Sequence, residues 1–199
     1  MEKVQLGPRP LVLPHPVLLI GANVNGEPNF MTASWCGIAN SEPPMISVAI
    51  RYQRYTYQGV KQNATLSVNV PSKDMVKEMD YCGIASGAKE EKAKVCGFNV
   101  FYGKLKTAPL IAEVPVGLEC KVLHELHLGT HALFIVQIEE TYVSKDCLTD
   151  GKPDAHKIQP IVYSRAKTKT YHSLGDILGQ ALHTGQQMKK VRCYEPKKD

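Results

Sequence analysis

The chain has 199 residues, 43% of them hydrophobic and 22% charged, with a net charge of +5. Those values suit one globular domain with a core of its own and exclude a disordered or fibrous chain. Lys and Arg are spread along the sequence rather than clustered among aromatics, so no nucleic-acid face is expected; a small anion held at one point, such as a phosphate ester, fits better.

The six cysteines, Cys36, Cys82, Cys96, Cys120, Cys147 and Cys193, are widely and irregularly spaced, without a C-x-x-C pair. That pattern points away from a zinc ribbon or a thioredoxin-like site. The opening MEKVQLG lacks the apolar run of a signal peptide, and LVLPHPVLLIG is short and interrupted by Pro14 and Pro16. A reduced, cytoplasmic protein with no membrane span is expected.

In chain order, VLLIGAN (17–23) reads as a short buried strand, and Asn25-Gly26 marks a tight turn. MTASW then pairs back as the second arm of a hairpin. Two prolines in ANSEPP bar a helix. MISVAI (45–50) and TLSVNVPS (65–72) read as further strands. Residues 73–97 are charged, glycine-punctuated and helix-leaning, an excursion from the sheet. VGLECKVLHEL and HALFIVQIEETYVS resume the strands. A final helix is expected over 173–190, with Leu174, Ile177, Leu178, Ala181 and Leu182 on one face and Ser173 and Asp176 as its capping pair. Sheet, helical insert, sheet and helix give a mainly β chain with attached helices, built on an antiparallel barrel rather than alternating βαβ. A single domain over residues 1–199 is expected.

The sequence holds no G-x-G-x-x-G, no G-x-x-x-x-G-K-[ST], no G-x-S-x-G and no H-E-x-x-H. A Rossmann site, a P-loop and the commonest hydrolase sites are therefore not expected, and a phosphate would be gripped by side chains and local amides.

Two stretches carry chemistry. In MTASWCG, the small residues Thr32, Ala33 and Ser34 let a flat object approach the backbone and supply two hydroxyls. Trp35 would stack or form a wall, and Cys36 follows. The same residues would equally make a tight hairpin with Trp35 as a core anchor. In ISVAIRYQRYTY, a strand ends at Arg51 and is followed by Arg54, Tyr55 and Thr56, a phosphate cradle or else a solvated basic turn. Lys61 would add a charge to that cradle or simply lie in solvent. Lys92 in SGAKEEKAKVCG reads as a solvated helix face. His124, His127 and His131 lack an obvious fourth ligand, so no metal site is expected; His131 is a lone imidazole near a ligand or a structural histidine.

The segments PHPVLLIG, NFMTASWCGIANSEPPMISVAIR, the R-x-x-R-Y-T turn, LSVNVPS, SGAKEEKAKVCGF, LECKV, GTHALFIVQI and PIVYSRAKTKTYHSLG stand together in one order. As a set they resemble the flavin reductase-like, FMN-binding split-barrel family, nearest its flavoredoxin subgroup. The resemblance implies a Greek-key split barrel that forms a homodimer with FMN near the interface. It implies that Thr32, Ala33, Ser34, Trp35 and Cys36 lie along the ring, that Asn29 approaches the flavin or its ribityl chain, and that Arg51, Arg54, Tyr55 and Thr56 take the phosphate. Lys92, His131 and Tyr163 would approach the flavin or its ribityl chain. His131 and Cys36 are the candidate catalytic residues.

The sequence departs from the family pattern at Thr130, where an Asp is frequent before the histidine, and at Glu91, where an Asp is common. The implied activity is an FMN-dependent oxidoreductase passing hydride or electrons between NAD(P)H and an acceptor. Two alternatives stay open: electron transfer from a protein donor, with ferric iron as one acceptor held briefly by Cys36 and His131, and FMN as a structural or sensing ligand only.

Overall fold

The computed structural model describes residues 1–186 and 188. Strand β1 (Leu18–Val24) turns at Asn25 and Gly26 into β2 (Glu27–Ala33), with Val24 opposite Glu27. Both turn residues have positive φ, 54° and 90°, the two-residue geometry that matches strand twist and that Asn-Gly favours. Alternation along β1 splits its side chains. Leu18, Ile20 and Ala22 enter the barrel core with Val48, Val68 and Phe134. Val17 and Leu19 face outward into a second cluster with Phe30, Met79 and Ile111.

Only Ser34 and Trp35 separate β2 from β3 (Cys36–Asn40). β2 pairs with β1, whereas β3 pairs with β4 (Met45–Arg51). The switch begins at Trp35, whose carbonyl accepts a hydrogen bond from Ala49 N at 2.9 Å. One continuous segment, 27–40, therefore leaves one edge of the sheet and joins the other. With β5 (Thr65–Val70), β6 (Val116–Leu128) and β7 (His131–Val143) the order is β2-β1-β5-β6-β7-β4-β3, antiparallel throughout. This is the expected mainly β split barrel. Its Greek-key character lies in the passage from β4 across to β5, beside β1.

That passage is helical. Helix α1 (Tyr55–Asn63) was not expected, and it buries little beyond Thr56, Gly59 and Val60. Such a sparse inward face gives no apolar period to read. The excursion at 73–97 carries α2 (Val76–Ile84) and the single-turn α3 (Lys92–Val95), packed outside the barrel on the second cluster. Late in the chain, β8 (Val162–Arg165) and β9 (Lys169–His172) form a hairpin against His15–Pro16.

The expected helix over 173–190 is corrected. Residues 173–180 have no regular secondary structure, 181–183 form a turn and 184–186 a short 3-10 segment; 187, 189 and 190 lie outside the described residues. Leu174, Ile177, Leu178 and Leu182 are 50, 74, 97 and 92% exposed. A short helix gains its stability from burying an apolar face, and Gly175, Gly179 and Gly185 weaken it further. Among the described residues nothing covers this face.

Candidate functional site

Two clefts adjoin outside the seam between β2 and β3. The first, about 700 Å³, is floored by Thr32, Ala33, Ser34 and Trp35 and walled by Arg51 and His131. Its far side comes from the β8–β9 hairpin, through Tyr163, Arg165, Lys169 and Tyr171, and from α2, through Asp80, Gly83 and Ile84. The second, about 470 Å³, is lined by Tyr55, Thr56, Ser86 and Lys92. Met31, Arg51, Arg54 and Ile84 line both, so the two form one elongated site.

The MTASW stretch is the shelf of the first cleft. Trp35 is 37% exposed and stacks on His131, with ring centroids 4.8 Å apart at 27°. It is not a core anchor. The Arg165 guanidinium lies 6.0 Å from the Trp35 ring centroid. Thr32 donates its hydroxyl to the Met79 carbonyl, tying the shelf to α2. Thr130, which precedes the histidine, places its hydroxyl 2.7 Å from His131 Nδ1 and orients the ring without a carboxylate. Burial, and then the Arg51 charge, hold the His131 pKa below its ordinary value, so the imidazole is neutral at neutral pH.

The second cleft is cationic. Arg51 ends β4, Arg54 is the N-cap of α1, and Tyr55 and Thr56 form the helix's first turn. No side chain caps that turn, which leaves backbone N–H donors and the positive end of a nine-residue helix beside the cleft. Arg54 donates to the Gly83 carbonyl at 2.8 Å, and burial, with help from Arg51, lowers its pKa.

Lys92 departs from the solvated helix face that its local sequence suggests, and it lines the second cleft. It is 3% exposed, and among the described residues its Nζ donates only to carbonyls, Cys82 O at 3.2 Å and Ala85 O at 3.3 Å. Burial lowers its pKa to about 8. A buried ammonium without a carboxylate is costly and marks a place prepared for an anion. Ser86 and Gly87 bring the loop close to the barrel; a Cβ at Gly87 would collide with the Asn29 side chain.

Two expected contacts are corrected. Cys36 lines neither cleft. It stands opposite Val48 in the β3–β4 register and packs on the barrel core, where burial pushes its thiol up to about 12. Cross-strand partners share a face, and Val48 is fully buried, so Cys36 points inward. Asn29 is also off the lining. Buried, it donates to Thr56 Oγ1 at 2.6 Å and supports the cradle from behind.

Lys61 pairs with Glu125, away from both clefts, and His127 stacks on Tyr52. Among the described residues no group of three His, Cys, Asp or Glu could hold a metal ion. Asp80, Arg165, Lys169 and Tyr171 were missed as site residues. The alternation in VYSRAKTKTYH was the signal that would have found the hairpin carrying the last three; Asp80 lies on α2.

Residues 11–172 match the model of the flavin reductase like domain. The chain belongs to that family. Its structure is similar to flavoredoxin from Methanosarcina acetivorans, with TM-score 0.90 and 39% identity, covering 94% of this chain and 100% of that one. It is likewise similar to flavoredoxin of Desulfovibrio vulgaris (Miyazaki F), with TM-score 0.86 and 34% identity, over 92% and 100% of the two chains. In sequence, a ferric-chelate reductase (NAD(P)H) of Archaeoglobus fulgidus is 26% identical over 157 residues, 78% of this chain and 91% of its own. This flavin reductase-like chain keeps the family's split barrel, with the two adjoining clefts beside the seam of β2 and β3.

Proposed function

We propose that the protein is an FMN-dependent oxidoreductase of flavoredoxin type. The observation that carries the reading is Lys92, buried without a carboxylate partner beside Arg51, Arg54 and the uncapped start of α1. That set fits the phosphate of FMN, and the flat shelf Thr32–Trp35 with His131 fits its ring. FMN supplies the redox chemistry, taking electrons from a donor and passing them on.

The chain's own residues bind and orient. Lys92 and the two arginines hold the phosphate end. Thr32, its hydroxyl proton committed to Met79, offers lone pairs to a ring donor. Neutral His131 and Trp35 form the wall against which a second planar group stacks. Tyr163 flanks the same cleft. No side chain need act as acid or base, and Cys36 takes no part: inward-facing and held at about 12, it neither reaches the site nor forms a thiolate at neutral pH.

The donor in this reading is NAD(P)H stacked on the shelf. A protein donor is the second reading, favoured by near full-length similarity to two flavoredoxins. The test is the visible spectrum of the purified protein, followed under anaerobic conditions through addition of NADH, NADPH and then a low-potential donor. A yellow protein bleached at once by either nicotinamide supports the first reading. Bleaching only by the low-potential donor supports the second. A colourless protein that takes up no FMN overturns both.

A homodimer belongs to the same proposal, because the exposed apolar residues of 174–182 await a partner surface. Cys36, Cys82, Cys96, Cys120 and Cys147 are unbridged, which suits a reducing compartment such as the cytoplasm. No helix among the described residues is long and apolar enough to cross a membrane.

A further inference from the structure

We propose that Cys82 and Cys96 are a reversible redox pair whose disulfide tethers the loop that walls the phosphate cradle. Their sulfurs are 4.0 Å apart. Cys82 lies in the last turn of α2, and Cys96 caps the C-terminus of α3. A disulfide asks the two sulfurs to approach to about 2.05 Å. The segment that must move is a single-turn helix bounded by Gly87 and by Gly97, which holds a φ of +66° that L side chains rarely adopt.

What lies between the two cysteines sets the pair apart from thiols that merely fill a core. Residues 83–95 contain Ile84, Ala85, Ser86 and Lys92, all lining the second cleft. Lys92 donates to the carbonyl of Cys82 itself, and Arg54 to that of the next residue, Gly83. A covalent bond from 82 to 96 therefore restrains the stretch of chain that lines the second cleft. Nothing else in the mechanism uses either sulfur.

The chemistry balances with a small-molecule disulfide as oxidant. Cys96 is partly exposed and Cys82 fully buried, so Cys96 meets the oxidant first. Its sulfur attacks one sulfur of the oxidant, the oxidant's S–S bond breaks, and one small thiol leaves with a proton. Cys82, whose thiol burial pushes up to about 12, gives its proton to solvent as the loop opens and then attacks the Cys96 sulfur of this mixed disulfide, expelling the second small thiolate, which takes up a proton. Two electrons pass from the cysteine pair to the oxidant, and two thiol hydrogens end on the two small thiols. A small dithiol reverses both steps.

The effect on FMN rests on the function proposed above; the cross-link itself does not. The test treats the FMN-loaded protein with oxidised glutathione and maps its peptides by mass. It then measures the rate at which bound flavin exchanges with added FMN. We expect a Cys82–Cys96 link, flavin release slowed about tenfold by removal of the open loop states, and recovery with dithiothreitol. Cys96→Ser should show neither link nor slowing. If it fails to fold, Cys82→Ala serves, and the oxidation and re-reduction cycle of the unmodified protein needs no variant.

Glutathione remaining on Cys96 without a link overturns the pair. A link that leaves flavin release unchanged overturns the tether. If the protein takes up no FMN, the function falls on that ground alone. The peptide map and the hydrogen exchange of residues 83–95 then decide the pair and the tether on the protein as isolated.

Discussion

Lys92 carries a charge that the fold buries against backbone carbonyls alone. Its folded pKa of about 8 lies below the ordinary 10.5. Between those values the unfolded chain keeps a proton that the folded chain has released, so stability of the FMN-free protein rises with pH across that window and levels off above it. Lys92→Met should remove this dependence. It should stabilise the FMN-free protein at pH 7 by about 1–2 kcal/mol, a figure discounted for solvent screening. The same change should weaken FMN binding by about 1.5–3 kcal/mol, roughly ten- to a hundredfold. Thermal melts and flavin titrations of one variant would thus move in opposite directions; a variant that loses both stability and affinity would make Lys92 structural only.

At this scale the sequence was readable where residue type alone limits the options. Thr32, Ala33, Ser34 and Trp35 make poor core filling, and they line the cleft. The burial of Lys92 is not legible locally, because a lysine among AKEEKAK looks solvated and only the packing of α3 on the outer cluster buries it. Cys36 was misread for a complementary reason. Its neighbour Trp35 is on the shelf, and adjacent strand residues face opposite ways.

Elements divide in the same manner. The hairpin at 17–33 was legible because Asn25-Gly26 fixes both turn and register. Helix α1 was not, since its fixing contacts are chiefly to β1, with β2 and β5 after it, rather than within its own sequence. The β8–β9 hairpin closes the far wall of the first cleft, and its link to α2 is one hydrogen bond: Tyr171 OH donates to Asp80 Oδ1 at 2.6 Å. Burial, reinforced by that carboxylate, keeps the phenol protonated well above its ordinary range. Tyr171→Phe leaves Asp80 without this donor. The expected cost is about 1–2 kcal/mol in urea unfolding, with an unchanged m-value. FMN affinity should fall less than in Lys92→Met, because Tyr171 sets the position of a wall rather than meeting the phosphate. An equal or larger fall would mean that the hairpin, not the cradle, governs binding.

For the molecule as a whole, the tail is the clearest case of a signal that the described residues of one chain do not satisfy. An apolar period runs from Leu174 to Leu182, yet no helix forms there and the side chains stand in solvent. The period makes sense if a second copy supplies the covering surface. Leu178→Asp with Leu182→Asp should therefore weaken self-association at least about tenfold in sedimentation equilibrium, while leaving the unfolding of the barrel itself unchanged. A monomeric parent protein would end that reading.

The seam at Ser34 and Trp35 has a bearing on how the barrel breathes. Segment 27–40 is held by β1 before the seam and by β4 after it, so the two sides can part like a zip whose slider sits at the shelf. A ligand lying across that slider pins both rows of teeth at once. Amide exchange at Ala33 to Cys36 and at Ala49 should then slow in step when FMN is added, making occupancy of the cleft a brake on the opening of the whole barrel.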